Sequence, residues 1–163
     1  MKIGLLVLVL ALALGGCTSS PEAPTLETAL TWEAPNAERV NCNELLAEWS
    51  DGQQGSPQAC WRYLSAVDAA PPFRIQLASF ADHIGAKPLG EAKCNRGGDR
   101  AITCIAVWKT ADEYLWLTTG LNIEDLRRAM SSPEADDLIH ELLVYTSETD
   151  PRVGDYLDTD PLD

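Results

Sequence analysis

Histidine, basic residues and familiar catalytic motifs are all scarce in this sequence. It has 2 histidines, and 12 Lys and Arg stand against 25 Asp and Glu. It contains no G-x-S-x-G nucleophile elbow, no P-loop and no G-x-G-x-x-G motif. These absences leave no recognisable residue set for nucleophilic catalysis and no motif that binds a nucleotide cofactor. We therefore expect no enzyme, no cofactor and no metal.

The two histidines do not change this expectation. His83 follows Asp82 in a segment broken by glycine and proline, and we expect it in a surface loop. His140 lies in an acidic segment that the sequence predicts to be a helix. An activity lost when either residue is replaced would be the sign of an enzyme.

The shortage of Lys and Arg excludes nucleic acid as a partner. The net charge of the whole chain is −13, and such a field repels phosphate backbones and anionic lipid surfaces alike. A protein partner with a neutral or basic surface is more compatible with this charge.

The sequence also lacks an apolar run long enough to cross a bilayer. Residues 3–14 are apolar and follow Lys2, but a spanning helix needs about 20 such residues. A positive start, a short apolar core and small residues predict an export signal, residues 1–16.

Leu14, Gly15, Gly16 and Cys17 resemble the lipobox of bacterial lipoproteins. The resemblance implies that Cys17 becomes the first mature residue and carries a thioether-linked diacylglycerol, usually with an N-acyl chain. The alternative is an ordinary secretory signal with a chance cysteine. In that family an Asp after the Cys favours the inner membrane. Thr18 stands there instead, which implies the outer membrane, facing the periplasm.

Four cysteines remain beyond Cys17, an even number that predicts two disulfides in an exported chain. Of the three possible connectivities, Cys42–Cys60 with Cys94–Cys104 fits the local patterns best. Zinc binding is the alternative, but no pair has the close C-x-x-C spacing of structural zinc sites.

Composition divides the mature chain into three parts. Residues 17–37 are rich in Pro, Ser and Thr and predict a lipidated tether, in which Leu30 and Trp32 are the residues able to dock on a folded body. We predict a single domain at 38–146. Residues 147–163 predict a disordered acidic tail; Asp158 and Asp160 have EF-hand spacing, but the glycine and closing glutamate of that loop are missing.

The predicted fold class is α+β, with a small antiparallel sheet, an N-terminal helix pair joined by a disulfide, and two C-terminal helices. The first helix begins at Asn41 or Asn43, and the second begins with Ser56-Pro57 and places Cys60 and Leu64 on one stripe. The C-terminal helices begin at Asn122 and at Ser132-Pro133; the second continues to Tyr145.

Three strands are predicted between the helix pairs. Phe73, Ile75 and Leu77 alternate with polar residues in FRIQLASF. CNRGGDRAITC predicts a hairpin with Cys94 opposite Cys104, leading into a covered strand at 101–108. Residues 111–119 favour a strand, although Thr110-x-x-Glu113 is also the capping box of a helix. The sequence leaves open whether the hairpin tip NRGGDR is a contact.

FRIQLASFADHIGA, residues 73–86, resembles the first strand and turn of SPOR domains. That family has a four-stranded sheet with two helices on one face and binds peptidoglycan glycan strands stripped of their peptides. On the matching motif, the resemblance implies glycan-binding roles for Gln76, Ser79 and Phe80. The aromatic residues Trp49, Trp61, Trp108, Tyr114 and Trp116 are expected mainly in the core; one or two on an exposed face would suit a partner or a sugar ring.

The sequence thus supports three functional hypotheses. The first is a lipid-anchored, non-enzymatic interaction or scaffolding module with a protein partner in the envelope. The second is a SPOR-like binder of peptidoglycan. The third is an acidic inhibitor or immunity protein directed against a basic cell-wall enzyme, for which a rigid hairpin would be preorganised.

Overall fold

The computed structural model describes residues 23–45, 56–65, 70–97, 101–121, 127, 131 and 138–151. The signal segment 1–16, Cys17, Trp49 and tail residues 152–163 lie outside the described residues, as does most of the helix predicted from Asn122. Of that helix, Arg127 and Ser131 are described and are helical.

Six strands form one antiparallel sheet in the order β1-β2-β6-β5-β4-β3. Consecutive strands from β3 to β6 are neighbours, and β6 also pairs with β2. The last strand therefore joins the β1–β2 pair to the β3–β5 strands in one sheet. The elements are α1 (Leu26–Leu30), β1 (Glu38–Val40), a 3-10 turn (Cys42–Glu44), β2 (Ala59–Ser65), α2 (Ala70–His83), β3 (Lys93–Gly97), β4 (Ala101–Lys109), β5 (Tyr114–Leu121) and β6 (Leu138–Ser147).

The prediction of an α+β domain with four helices is wrong. Within the described residues the molecule is mostly sheet, with two α-helices of defined bounds, and both lie N-terminal to β3. Strands occupy the positions of the second and fourth predicted helices, and a helix occupies the first predicted strand. The predicted first helix is limited to the 3-10 turn at Cys42–Glu44 in the described residues.

Helix α2 replaces the strand predicted at FRIQLASF. Pro71 and Pro72 stand in its first turn, where a missing N–H costs no helical hydrogen bond. Phe73, Gln76 and Phe80 are buried at helical spacing, whereas Ile75, which supported the alternation, is 62% exposed. The strand that the SPOR resemblance requires is therefore absent from this position.

Strand β2 replaces the second predicted helix. Trp61 and Tyr63 face one side of the sheet, and Cys60 and Arg62 face the other, as the two-residue period of a strand requires. Leu64, assigned to the buried stripe of the predicted helix, is 66% exposed.

Strand β6 replaces the C-terminal part of the last predicted helix. It lies between β2 and β5 and is covered on both faces, so nearly all of its side chains are buried. A strand covered on both faces has no apolar–polar alternation, and its continuous apolar pattern resembles that of a buried helix.

The predictions for the central hairpins are confirmed. Strands β3 and β4 pair with Cys94 opposite Cys104, and β4 spans Ala101–Lys109. Residues 114–121 form β5. Thr110 does not cap a helix: its backbone N–H and its hydroxyl both donate to the Glu113 carbonyl, and this closes the β4–β5 turn.

An aromatic core lies between the helices and one face of the sheet, here called the helix face. Trp32 packs edge-on against Trp61 and Phe80, with ring centroids 5.1 Å and 4.9 Å apart, and Phe80 packs against Trp108 with ring centroids 5.0 Å apart. Because Trp32 and Ala29 are buried in this core, the folded body extends N-terminally of residue 38 and includes α1.

The other face of the sheet, here called the opposite face, carries a second apolar cluster. Cys60, Val107, Trp116, Leu143 and Tyr145 are its buried members. Val40, the last residue of β1, packs against them, as do Cys42 and Leu45 in the segment that follows β1. This segment is joined to β2 by the Cys42–Cys60 disulfide.

Candidate functional site

Two adjacent residue pairs place titratable side chains inside the sheet, at the junction of β2 and β6. Tyr63 lies opposite His140 on the helix face, and Arg62 lies opposite Glu141 on the opposite face. These two pairs are the strongest candidate for a functional cluster, because buried titratable groups are common at catalytic sites.

On the helix face, Tyr63 is held by a short hydrogen-bond chain. The Thr119 hydroxyl donates to the Glu141 carbonyl at 2.9 Å, so it accepts from the Tyr63 hydroxyl at 2.8 Å. Burial raises the pKa of Tyr63 to about 12, and the hydrogen bond with Thr119 offsets this in part. Tyr63 is therefore a neutral hydrogen-bond donor at physiological pH.

His140 contacts Tyr63 through its ring. The two rings are stacked with centroids 5.2 Å apart and an interplanar angle of 13°. In this geometry the imidazole contacts the face of the phenol ring, so the two side chains pack against each other across the β2–β6 pairing.

On the opposite face, Arg62 forms an ion pair with Glu141. The distance from Arg62 Nε to Glu141 Oε1 is 3.5 Å; the Glu141 side chain is fully buried, and that of Arg62 is 30% exposed. Arg62 Nη2 also donates to the Glu44 carbonyl at 2.6 Å. The Arg62 guanidinium thus connects β2 to β6 and to the 3-10 turn, and its role in these contacts is structural.

Sequence reasoning missed both pairs, because each needs β2 and β6 to be neighbouring strands. Aromatic and β-branched residues in both segments were a signal that could have predicted strands there. They are Trp61 and Tyr63 in the first segment, and Val144, Tyr145 and Thr146 in the second.

The residues that the SPOR resemblance selects all lie on α2 and bind the N-terminal segment. Gln76 Nε2 donates to the Pro35 carbonyl at 2.7 Å, and Ser79 Oγ accepts from the Trp32 indole N–H at 3.1 Å. Gln76 is 4% exposed, and Phe80 is fully buried. Gln76 and Phe80 are therefore inaccessible to a glycan in this arrangement.

His83, at the end of α2, contacts α1. Its Nε2 lies 3.0 Å from the Thr28 carbonyl and 3.1 Å from the Thr31 hydroxyl. Since the Thr31 hydroxyl donates to the Thr28 carbonyl, both oxygens are acceptors for one N–H on His83. This exposed histidine thus joins the two helices.

Both predicted disulfides are present. Cys42 is joined to Cys60, and Cys94 to Cys104. The first links the 3-10 turn to β2, not two helices, and the second joins directly opposed residues of the β3–β4 hairpin. Cys60 and Cys104 are fully buried, so both bonds lie inside the body.

The described tryptophans all belong to the core. Trp32, Trp61, Trp108 and Trp116 are at most 2% exposed. Tyr114 is partly buried, and Lys109 Nζ lies 4.2 Å from its ring centroid. Within the described ranges, none of the tryptophans offers a surface on which a sugar ring could stack.

Nowhere in the described ranges do three or more His, Cys, Asp or Glu side chains form a group able to hold a metal ion. Among the helices of those ranges, none is long and apolar enough to span a bilayer.

No protein-family model, no curated protein and no solved structure matches this chain.

Proposed function

We propose that this chain is a lipid-anchored protein of the bacterial cell envelope, and that its folded body is a non-enzymatic interaction module facing the periplasm. The observation that carries the proposal is the pair of buried disulfides in a body that follows a lipobox-like LGGC. Disulfides of this kind form and persist in oxidising compartments such as the periplasm.

The roles of the buried polar residues support the non-enzymatic part of the proposal. Arg62, Tyr63, His140 and Glu141 have the chemistry of catalytic groups, but their contacts join strands to one another and to the 3-10 turn. Side chains engaged in this way stabilise the sheet and have no evident role toward a substrate.

The exposed charge supports a protein partner with a basic surface. Exposed carboxylates are distributed over the helices, turns and strand ends of the described body: Glu27, Glu33, Glu38, Glu44, Asp82, Glu91, Asp112 and Glu148. An acidic surface speeds and orients the encounter with a basic partner, and salt weakens this effect.

The first experiment isolates the full chain from bacterial membranes and measures the mass of its N-terminal peptide. We expect Cys17 to be N-terminal and to carry a diacylglycerol. The Cys17→Ser variant is the matched control and should leave the membrane fraction. An unmodified Cys17 in soluble material would overturn the anchoring proposal.

The second experiment tests the interaction. A photo-crosslinker replaces Glu91 or Asp112 in the lipidated chain, and crosslinking is compared at low and high salt. We expect a discrete protein adduct whose yield decreases with salt. The absence of a discrete adduct, or a yield unaffected by salt, would contradict a charge-guided protein partner.

The β3–β4 hairpin favours a second candidate, an acidic inhibitor of a basic cell-wall enzyme. The Cys94–Cys104 bond fixes the two strands close to their tip, and preorganised loops lose little entropy on binding. The tip sequence NRGGDR contains Arg96 and Arg100, however, so a basic enzyme would be met by acidic surface elsewhere on the body. A titration of a basic muramidase with the oxidised protein tests this candidate: inhibition that weakens with salt would favour it.

A further inference from the structure

The N-terminal end of the folded body is fixed at Thr25. The Thr25 side chain caps α1 by accepting from the Thr28 N–H at 3.1 Å, and α1 begins at the next residue. Trp32 then enters the aromatic core, and its indole N–H donates to Ser79.

Hydrogen bonds from three further residues hold this segment on the body. His83 contacts Thr28 and Thr31, and Arg39 Nη1 donates to the Leu30 carbonyl at 3.1 Å. Gln76 donates to the Pro35 carbonyl. The part of the predicted tether from residue 25 onward therefore belongs to the folded body and does not lengthen the link between the body and the lipid anchor.

If Cys17 carries the lipid, eight peptide units separate the anchor from the cap at Thr25. A fully extended chain of that length spans at most about 29 Å. The predicted tether to residue 37 would span about 75 Å by the same rule. The shorter length is a strict upper limit, whatever conformation those residues adopt.

We infer that α1, at the N-terminal end of the body, is held within about 30 Å of the surface of the anchoring membrane, so that the body meets its partner beside that membrane. This inference rests on the proposed lipidation of Cys17. It specifies the proposed interaction module as one that acts beside its own bilayer.

The charges near this end favour a protein partner over the lipid surface itself. Glu27 and Glu33 are exposed in and just after α1, and Asp82 precedes the histidine that binds α1. Arg39, which contacts this segment, donates to the Leu30 carbonyl, and its guanidinium carbon lies 5.3 Å from the centroid of the Trp61 ring. Anionic headgroups would be repelled here, whereas a basic protein surface would be attracted.

The test measures the height of α1 above a membrane. The lipidated full chain, with a donor dye on Glu27→Cys and both disulfides formed, is incorporated into zwitterionic vesicles that contain an acceptor lipid. A matched variant has a Pro-rich spacer of about 20 residues inserted after Ser20, and at about 3.1 Å per residue this semi-rigid segment adds about 60 Å to the tether. We expect efficient energy transfer in the short-tether protein and a several-fold lower efficiency in the lengthened variant.

Two results would overturn the inference. Low transfer in the short-tether protein would mean that α1 is not docked and that the body stands farther away. Equal, high transfer in both proteins would mean that the body adsorbs to the bilayer and that the tether does not set its height. Lack of lipid on Cys17, seen by mass spectrometry of the same sample, is a separate outcome, because it refutes the proposed anchoring before any distance is measured.

Discussion

The two faces of the sheet are stabilised by different interactions. The helix face is covered by α1 and α2, and contacts between aromatic rings dominate there. The opposite face is tied to the segment after β1 by the Cys42–Cys60 disulfide and by the contacts of Arg62 with Glu44 and Glu141. The helix face thus buries the larger aromatic cluster together with the Cys94–Cys104 disulfide, whereas the opposite face combines a smaller apolar cluster with the Cys42–Cys60 disulfide and a buried charge pair. The two should respond differently to mutation, reductant and pH.

The largest expected effect is on the helix face. Phe80→Ala removes a fully buried ring that packs between Trp32 and Trp108, and it should lower the free energy of unfolding by about 3–5 kcal/mol. Chemical denaturation measures this loss. Ile75→Ala on the same helix is the control, because Ile75 is 62% exposed and should change stability by less than about 1 kcal/mol. Similar losses in both variants would show that Phe80 is not a core residue.

On the opposite face, Arg62→Met should destabilise by about 3 kcal/mol, because it leaves the buried Glu141 carboxylate without its cation. The double variant Arg62→Met with Glu141→Leu should recover much of this loss, since two apolar side chains replace the buried pair. A double variant that is as unstable as the sum of the two single variants would show that the two residues do not interact.

The disulfide of the opposite face should contribute slightly less. Cys42→Ala with Cys60→Ala opens a loop closed by a sequence separation of 18, and the chain-entropy estimate gives a loss of about 3 kcal/mol, with strain and residual structure usually reducing it. When a reductant is added, the thermal midpoint of this variant should decrease less than that of the wild type, because only Cys94–Cys104 remains to be reduced. If reduction lowers the thermal midpoint of the variant as much as that of the wild type, the effect of the reductant comes from Cys94–Cys104 instead.

The sequence predicted the parts of the fold that depend on local pairing. Cys94 and Cys104 stand symmetrically about residue 99, next to Gly97-Gly98, so one hairpin register satisfies both the turn and the disulfide. The sequential disulfide pairing was also correct, although the elements assigned around Cys42 and Cys60 were wrong. A short distance along the chain was sufficient for these predictions.

The parts that depend on partners distant in sequence were not predictable by the same reasoning. The segment FRIQLASF fits two patterns: the alternation of a strand, which includes Ile75, and the spacing of a helix, which includes Phe73, Gln76 and Phe80. Packing against Trp32 and the sheet decides in favour of the helix. The Arg62–Glu141 and Tyr63–His140 pairs could not be predicted either, because each forms only when β6 pairs with β2.

The smallest effect compares the two faces at adjacent residues of one strand. Tyr63→Phe, next to Arg62, removes the hydroxyl that donates to Thr119 and should cost about 1 kcal/mol at neutral pH. The variant should also change the alkaline response. In the unfolded chain Tyr63 ionises near pH 10, but in the folded protein its pKa is raised to about 12, so the unfolded state loses its proton first as pH rises.

Tyr63 therefore stabilises the fold fully below pH 10, and this contribution declines between pH 10 and 12. From pH 10 to 11 the loss should be about 1 kcal/mol. Denaturation curves of the wild type and Tyr63→Phe, measured at both pH values, isolate this residue from the other tyrosines by difference. The stability gap between the two proteins should narrow as pH rises. A gap that stays constant would mean that the Tyr63 phenol is not buried and that the helix face is open to solvent beside β2.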